Sequence, residues 1–359
     1  MNSSEPISET KKTKYILITH GDSYLGRVLA IYLSEEITKY DKKEHWAVRV
    51  MCAENTKLQK EFEKRGIDVK LIDYESQKMI REAMQGHVKT MIFNPFTDHD
   101  RLVVQAKNIL KMAKEEKIGY TLMISSIGAS INQQEQAMAF SQFREIEEHL
   151  KEMNEYGKWV ILRVPFIQQY LYFWAKMIED KAMIGMPIAQ TDVLETVHVK
   201  DICDSVAHLV LNKRLATWDI HIEKRMYDLR SVPTFSLYDL TQSLSDSLKE
   251  DGKTPDINSV VLTEEQMQSY LECVAEGSKK MKTLLDSVSH NLPAVPKTGI
   301  LVSIVSGVFS MLWTHKDQDD PRWYPTDALT PFSIQLIMNH FQLARNPQWL
   351  PELGNPTDI

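Results

Sequence analysis

Cysteine is close to absent: Cys52, Cys203 and Cys273 are the only three in 359 residues, an odd number set far apart. That excludes a disulfide framework and a cysteine metal site, and makes a reducing compartment, the cytoplasm or also the nucleus, the expected address. An excess of positive charge is missing too. Lys and Arg number 42 against 49 Asp and Glu, a formal net charge of -7, so the sequence lacks the basic surface that drives direct nucleic-acid binding. No apolar run reaches the roughly 20 residues that span a bilayer. The longest, residues 300–313, is broken by Ser303, Ser306, Gly307 and Ser310; it reads as a buried helix, with a membrane-surface or partner-binding segment as the alternative. Residues 1–14 have no apolar h-region and cluster Lys11, Lys12 and Lys14, which reads as a flexible tail rather than a signal peptide. Internal repeats and low-complexity tracts are absent as well.

What remains is a globular composition, 43% apolar and 25% charged, enough for a sizeable core in one large or two modest domains. The chain is organised around residues 15–26, YILITHGDSYLG. Tyr15, Ile16, Leu17 and Ile18 lack period-2 alternation, as expected of a strand covered on both faces. From Ser23 onward, Leu25, Val28, Leu29, Leu33 and Ile37 recur at helical spacing. A strand that enters a tight turn and leaves as a helix is the setting for nucleotide phosphates, because the helix N-terminus presents backbone N–H groups to an anion. The turn holds Gly21 and Gly26. Strands then read at 46–52, 69–72, 90–93 and 120–124, with helices at 54–64, 76–85 and 101–117 between them. That alternation predicts βαβ units and a doubly wound parallel sheet, an α/β Rossmann-type fold.

Thr19-His20-Gly21-Asp22-Ser23-Tyr24-Leu25-Gly26-Arg27 resembles the TGATGxxGR turn of the NmrA-like family, a branch of the atypical short-chain dehydrogenase/reductases. His20 and Ser23 stand where two of that turn's three glycines should be. Four further blocks follow in family order. GIDVKLIDYESQKMIREAMQGHVKTMIFNPF (66–96) resembles the segment from the third to the fourth strand, and FREIEEHL (143–150) the K-x-x-x-E-x-x-L helix. WVILRVPFI (159–167) resembles the T-I-L-R-P strand, and TVHVKDICDSVAHLVL (196–211) the segment in which Asp201 would cap a helix. The resemblance implies a tail at 1–14, an NAD(P)-binding Rossmann domain at 15–211 and a smaller, mostly helical substrate or partner lobe at 212–359, with the chain free to cross between them. In that second lobe, a strand pair at 218–229 and helices at 236–248, 264–274, 279–288 and 331–344 are expected.

The resemblance also assigns cofactor contacts: Gly21, Asp22, Ser23, Tyr24, Leu25 and Gly26 in the turn, Asp73 beside the adenine, and Asn94, Pro95 and Phe96 along the ribose path. Ser125, Arg144, Pro165 and Phe166 complete the set. Where NADP-preferring relatives carry an arginine after the second strand, this chain has Ala53 and then Glu54. A carboxylate there favours NAD, although Lys57 could still reach a phosphate; a solvated surface helix is the competing reading for both. Asp73 reads equally as a turn cap. The cofactor is accordingly NADP or NAD.

Ordinary short-chain dehydrogenases exchange a proton through a tyrosine whose pKa a nearby lysine lowers. At those positions this chain has Phe140, which has no proton to exchange, and Arg144, which stays charged. Ser126 follows the fifth strand where the catalytic serine should be, and Ser125 and Ser126 read equally as turn residues. Tyr172 and Lys176 have the dyad's spacing but follow the wrong strand, so Tyr172, Phe173 and Trp174 read as cleft-lining or core. His198 reads as a satisfied core histidine and Cys52 as a small buried hydrophobe.

Three functions are consistent with this. One is a cofactor-sensing regulator that binds a protein partner such as a transcription regulator. A second is an NAD(P)H-dependent reductase of an imine, an enone or another flat hydrophobic substrate. The third is an interaction protein that keeps the fold and binds no nucleotide.

Overall fold

A computed structural model describes residues 12–40, 45–53, 56–97, 99–130, 138–153, 158–211, 225–229, 234–249, 256–277 and 329–345. The expected helices at 279–288 and 300–313, the first eleven residues and most of the expected strand pair at 218–229 lie outside them.

The dinucleotide-type half runs β1 (Lys14–Ile18), α1 (Tyr24–Tyr40), β2 (Trp46–Cys52), α2 (Thr56–Lys64), β3 (Asp68–Leu71), α3 (Gln77–Met84) and β4 (Val88–Phe93). It continues through α4 (His99–Glu115), β5 (Tyr120–Ser126), α5 (Met138–Met153) and β6 (Lys158–Val164). With β11 (Arg225–Asp228), seven strands form one parallel sheet in the order β11-β6-β5-β4-β1-β2-β3. Strand side chains go alternately to two cores. Ile16, Ile18, Val48, Val50, Ile92 and Leu122 join α1 and α2 on one face, while Leu17, Met51, Met91, Phe93 and Met123 join α3, α4 and α5 on the other. This two-sided burial is why the strands read as continuous apolar runs.

Strand order reverses between β1 and β4: the chain steps from β1 to β2 and β3 on one side, then crosses to β4, β5 and β6 on the other. At such a switch point the helices leave the two strand ends in opposite directions and open a crevice, and ligands of open α/β sheets bind there. The crevice lies at Thr19–His20 and Asn94.

The chain crosses back and forth between the seven-stranded sheet and the region after β6. β11, from the part of the chain assigned to the second lobe, returns to the free edge of β6, with Arg225 to Asp228 paired against Val160 to Arg163. A buried network locks that edge: Arg163 donates to Glu147 through Nε (2.9 Å) and Nη2 (2.6 Å), Ser125 Oγ donates to the same carboxylate at 2.6 Å, and Asp228 lies 3.7 Å from Arg163 Nη1.

Conversely, residues after β6 build the smaller lobe. β7 (Phe166–Ile167) pairs with β10 (Thr196–Val197), β8 (Met183–Met186) with β13 (Asn258–Val261), and β9 (Val193–Leu194) with β12 (Phe235–Ser236). The helices of this region are α6 (Ala175–Lys181), α7 (Val199–Leu211), which packs on α1, and α8 (Leu237–Lys249). They are followed by α9 (Glu264–Glu276) and α10 (Pro331–Arg345). α9 starts at a Thr263–Gln266 capping box and stops at Gly277, whose φ of 59° suits glycine. At α7, His198 Nδ1 accepts the Lys200 N–H at 3.1 Å, and Asp201 sits in the helix's first turn. α10 lies across α5, α9 and β9, and the Arg345–Glu264 ion pair fastens it to α9. No helix among the described residues is long and apolar enough to cross a membrane.

Candidate functional site

The β1–α1 turn keeps its shape without two of its glycines. His20 adopts φ +48°, the left-handed region, which costs a non-glycine residue ~1–2 kcal/mol. Three interactions hold it there. Its N–H donates to the Tyr74 hydroxyl at 2.6 Å, its ring stacks on Tyr74 with centroids 4.0 Å apart, and its Nδ1 lies 2.9 Å from the Asn94 carbonyl. A carbonyl only accepts, so Nδ1 carries the proton and Nε2 the lone pair. Burial lowers the His20 pKa to about 3, which keeps this tautomer neutral. Tyr74 donates onward to the Met51 carbonyl at 2.9 Å. Ser23 caps α1: its hydroxyl donates to the His20 carbonyl (2.7 Å) and accepts from the Gly26 N–H (3.1 Å) and Asn94 Nδ2 (2.9 Å). Gly26, which is kept, and Gly21, one place late, sit where no side chain fits. A Cβ on Gly26 would lie 2.1 Å from the His20 carbonyl oxygen, and one on Gly21 would lie 2.8 Å from Val50 Cβ.

Beyond the turn opens a cleft of ≈ 460 Å³, walled by His20, Asp22, Ser23, Ala53, Asp73 and Tyr74 from the first three strands. Phe96, Arg101 and Gln105 close the β4–α4 side, and Thr330 and Phe332 reach in from the start of α10. Asp22 is pinned to the end of β2 by the Ala53 N–H, which it accepts at 2.9 Å. Asp73 accepts the Glu75 N–H at 2.9 Å, and Glu75 in turn accepts Gln105 Nε2 at 2.6 Å.

The other end of the crevice is narrow among the described residues. A void of ≈ 50 Å³ remains among Tyr24, Leu25, Asn94, Pro95, Ser126 and Pro165, roofed by Phe332, Leu336 and His340 of α10. Phe332 stands edge-on to Phe96 at 5.2 Å and tilted against Phe143 at 6.2 Å. Phe140, at the dehydrogenase tyrosine position, is 1% exposed, and its ring lies so close to the backbone that a Cβ on Gly128 would be 2.3 Å away. It packs edge-on to His340, whose pKa burial lowers to about 3. Ser126 Oγ, at the catalytic-serine position, is buried with no hydrogen-bond partner among the described residues. The Ser125 hydroxyl is committed to the Glu147–Arg163 network.

The residues named from sequence thus divide. Asp22, Ser23, Ala53, Asp73 and Phe96 meet at the open cleft, and Tyr24, Leu25, Asn94, Pro95, Ser125, Ser126 and Pro165 line the narrow end together with Phe96. Gly21 and Gly26 lie under the turn. Lys57 is exposed and outside both cavities, Arg144 donates through Nε to the Ala129 carbonyl at 3.1 Å, and Tyr172 is half-buried outside both. Phe166 is buried behind the void against Tyr170, His340 and Phe341, and Trp174 donates to the Gly185 carbonyl, so these aromatics build the core of the smaller lobe. Glu54 lies outside the described residues. Cys52 is buried, its thiol pushed up by desolvation and by the Asp22 charge, which opposes thiolate chemistry.

Sequence reading missed Tyr74, Glu75, Arg101, Gln105 and the roof of α10. Arg101 and Gln105 are one turn apart on the helix after β4, a spacing that could have flagged them. Phe332 and His340 arrive from more than two hundred residues away with no local signal. Among the described residues no group of three or more His, Cys, Asp or Glu could hold a metal ion.

No family model and no curated protein sequence matches the chain. Solved structures do. The triphenylmethane reductase of Citrobacter sp. aligns with a TM-score of 0.57 at 15% identity over 92% of this chain and 99% of its own; complexed with NADP(H), it aligns with a TM-score of 0.58 at 14% identity over 90% and 99%. The NADPH-dependent quinone oxidoreductase of Escherichia coli, complexed with NADPH, gives 0.56 at 17% identity over 90% and 98%. A nucleoside-diphosphate-sugar epimerase of Staphylococcus aureus gives 0.55 at 14% identity over 90% and 99%. At such identities these likenesses speak to architecture: the chain has the α/β Rossmann-like fold of these reductases and epimerases.

Proposed function

We propose that this protein is a non-catalytic, nucleotide-binding regulator on a Rossmann-type scaffold, in keeping with its resemblance to the NmrA-like family. One observation carries the reading: the crevice at the switch point is open at ≈ 460 Å³ on the adenosine side and reduced to ≈ 50 Å³ where a nicotinamide and its substrate would lie. The adenosine half of a dinucleotide fits the residues present; the nicotinamide half does not. Phe140 supplies no proton, and the neighbouring histidine, His340, stays neutral with its pKa lowered to about 3. The regulatory output would run through α10. Thr330 and Phe332 touch the open cleft, and the rest of the helix packs on both lobes, so an occupied cleft bears directly on the helix that joins them. Nucleotide-dependent affinity for a protein partner, such as a transcription regulator, in cytoplasm or nucleus, follows if the two states of that contact differ in partner affinity.

The test is calorimetric titration with NAD, NADH, NADP, NADPH and ADP-ribose. The reading expects ADP-ribose to bind as tightly as the better dinucleotide, within about threefold, because the nicotinamide gains no pocket. It also expects no consumption of NADH or NADPH with imine or enone probes. Turnover would establish the reductase reading, which the reductase neighbours and the unpaired Ser126 hydroxyl favour. Absence of binding by all five would leave an interaction protein that keeps only the fold.

A further inference from the structure

The open cleft is rich in lone pairs, and that selects its ligand. His20 and Gln105, 5% and 4% exposed, both line it, and each leaves one buried polar atom without a partner among the described residues: His20 Nε2 and Gln105 Oε1. Chemistry fixes both as acceptors. The Asn94 carbonyl 2.9 Å from His20 Nδ1 places the imidazole proton on Nδ1, and the Glu75 carboxylate that receives Gln105 Nε2 leaves the amide oxygen unpaired. Asp22, Asp73 and Glu75 add three carboxylates, against one cation among the described lining residues, Arg101. At the end of β2, where dinucleotide folds receive the adenine ribose, the side chains are Ala53 and the Asp22 carboxylate held to its N–H.

We infer that this cleft, on the reading that it binds a nucleotide at all, accepts adenosine nucleotides with free ribose hydroxyls and an exocyclic amine, the NAD and ADP-ribose class, and discriminates against the 2′-phosphorylated class. A ribose 2′-hydroxyl donates to a carboxylate, whereas a 2′-phosphate there meets a second anion with no guanidinium among the described residues at the end of β2 to receive it. The selecting carboxylate comes from the β1–α1 turn itself rather than from the end of β2. The purine amine and the ribose hydroxyls are the hydrogen donors that such a ligand brings to walls carrying the accessible carboxylates of Asp22, Asp73 and Glu75. A base that carries a carbonyl in place of the amine brings lone pairs to lone pairs.

Titration of the full-length protein with three probes tests this: ADP-ribose, its 2′-phosphate and inosine diphosphate ribose. ADP-ribose should bind at least about tenfold more tightly than either of the others. Asp22→Asn keeps an acceptor for the Ala53 N–H and removes the charge, so it should narrow the gap to the 2′-phosphate and leave the gap to the inosine compound unchanged. Equal or tighter binding of the 2′-phosphate by the unmodified protein overturns the inference and leaves the nucleotide-binding reading standing. Equal binding of the inosine compound removes the role assigned to the acceptor walls. An unchanged ratio in a folded Asp22→Asn protein removes the role assigned to that carboxylate. Binding of none of the three overturns the nucleotide reading, and this inference with it.

Discussion

Phe332→Ala separates the roof of the crevice from the rest of the fold. The ring is 2% exposed, packs on Phe96 and Phe143, and borders both the open cleft and the ≈ 50 Å³ void, so its removal joins the two into one groove. Truncation of a buried phenylalanine costs ~3–5 kcal/mol. In a protein of this size a kcal/mol moves the melting temperature by about 1–2 °C, so a fall of roughly 5 °C is expected. Phe341→Ala is the matched control. It removes an equally buried ring from the same helix, one that packs on Phe166 and Trp174 and borders neither cavity. Both variants should lose similar stability by calorimetry. Titration with NAD and with ADP-ribose should then part them: Phe332→Ala gives the nicotinamide a place, so NAD should outbind ADP-ribose by about tenfold, a gain of ~1.4 kcal/mol. Phe341→Ala should bind the two equally, as is expected of the unmodified protein. If the unmodified protein already prefers NAD by that margin, or Phe332→Ala gains no preference, α10 is not what narrows the nicotinamide end.

Glu147→Ala should destabilise the protein by ~3–5 kcal/mol in urea unfolding, because it strands the Arg163 guanidinium and the Ser125 hydroxyl in a buried site. A loss below ~1 kcal/mol would mean that Asp228, 3.7 Å from Arg163, takes over as the partner. Acid should weaken the fold through His20 and His340, both lowered to about 3. A histidine with a depressed folded pKa binds its proton in the unfolded chain first. Stability is therefore flat above pH ~6.5 and falls below it by about 1.4 kcal/mol per pH unit for each histidine, until the folded pKa is reached. Urea midpoints at pH 7 and pH 5 measure the slope, and His340→Gln should halve it. Gly26→Ala places a Cβ 2.1 Å from the His20 carbonyl oxygen. It should cost ~1–3 kcal/mol or more and abolish nucleotide binding at the turn, which thermal unfolding with and without ADP-ribose would register.

The sheet was legible because its signals are local. Apolar runs such as Ile16–Ile18 and the helical spacing of Leu25, Val28 and Leu29 mark elements whose burial on both sides follows from βαβ order. The edge strand β11 was not fixed by its own residues: RMYD has no strong pattern, and what selects it is the open edge of β6 and the Arg163 side chain that Asp228 approaches. At the site, the positions along the strand ends were legible and their pairing was not. Sequence placed Ser125 and Ser126 side by side at the fifth strand, and both border the void, but the Ser125 hydroxyl is committed to Glu147 while the Ser126 hydroxyl is not. The narrowing of the nicotinamide end could not be read, since Phe332 and His340 reach it only through the tertiary path of α10.

The substituted turn shows why a damaged motif need not mean a broken one. Glycine serves such a turn in two ways, by permitting a left-handed backbone and by leaving room for another group. At Gly21 and Gly26 the second need governs: the space is already occupied by Val50 and by the His20 carbonyl, so Gly26 is kept and Gly21 stands one place late. At position 20 the first need governs, and a histidine meets it because its stack on Tyr74 and its bond to the Asn94 carbonyl offset a strain of ~1–2 kcal/mol. At position 23 a hydroxyl stands on the helix N-terminus that a phosphate oxygen occupies in a working dinucleotide site, and it accepts the Gly26 N–H itself. The two substitutions therefore act in one direction. They hold the turn through contacts within the protein itself, and on the proposed reading a nucleotide would bind there through its adenosine end.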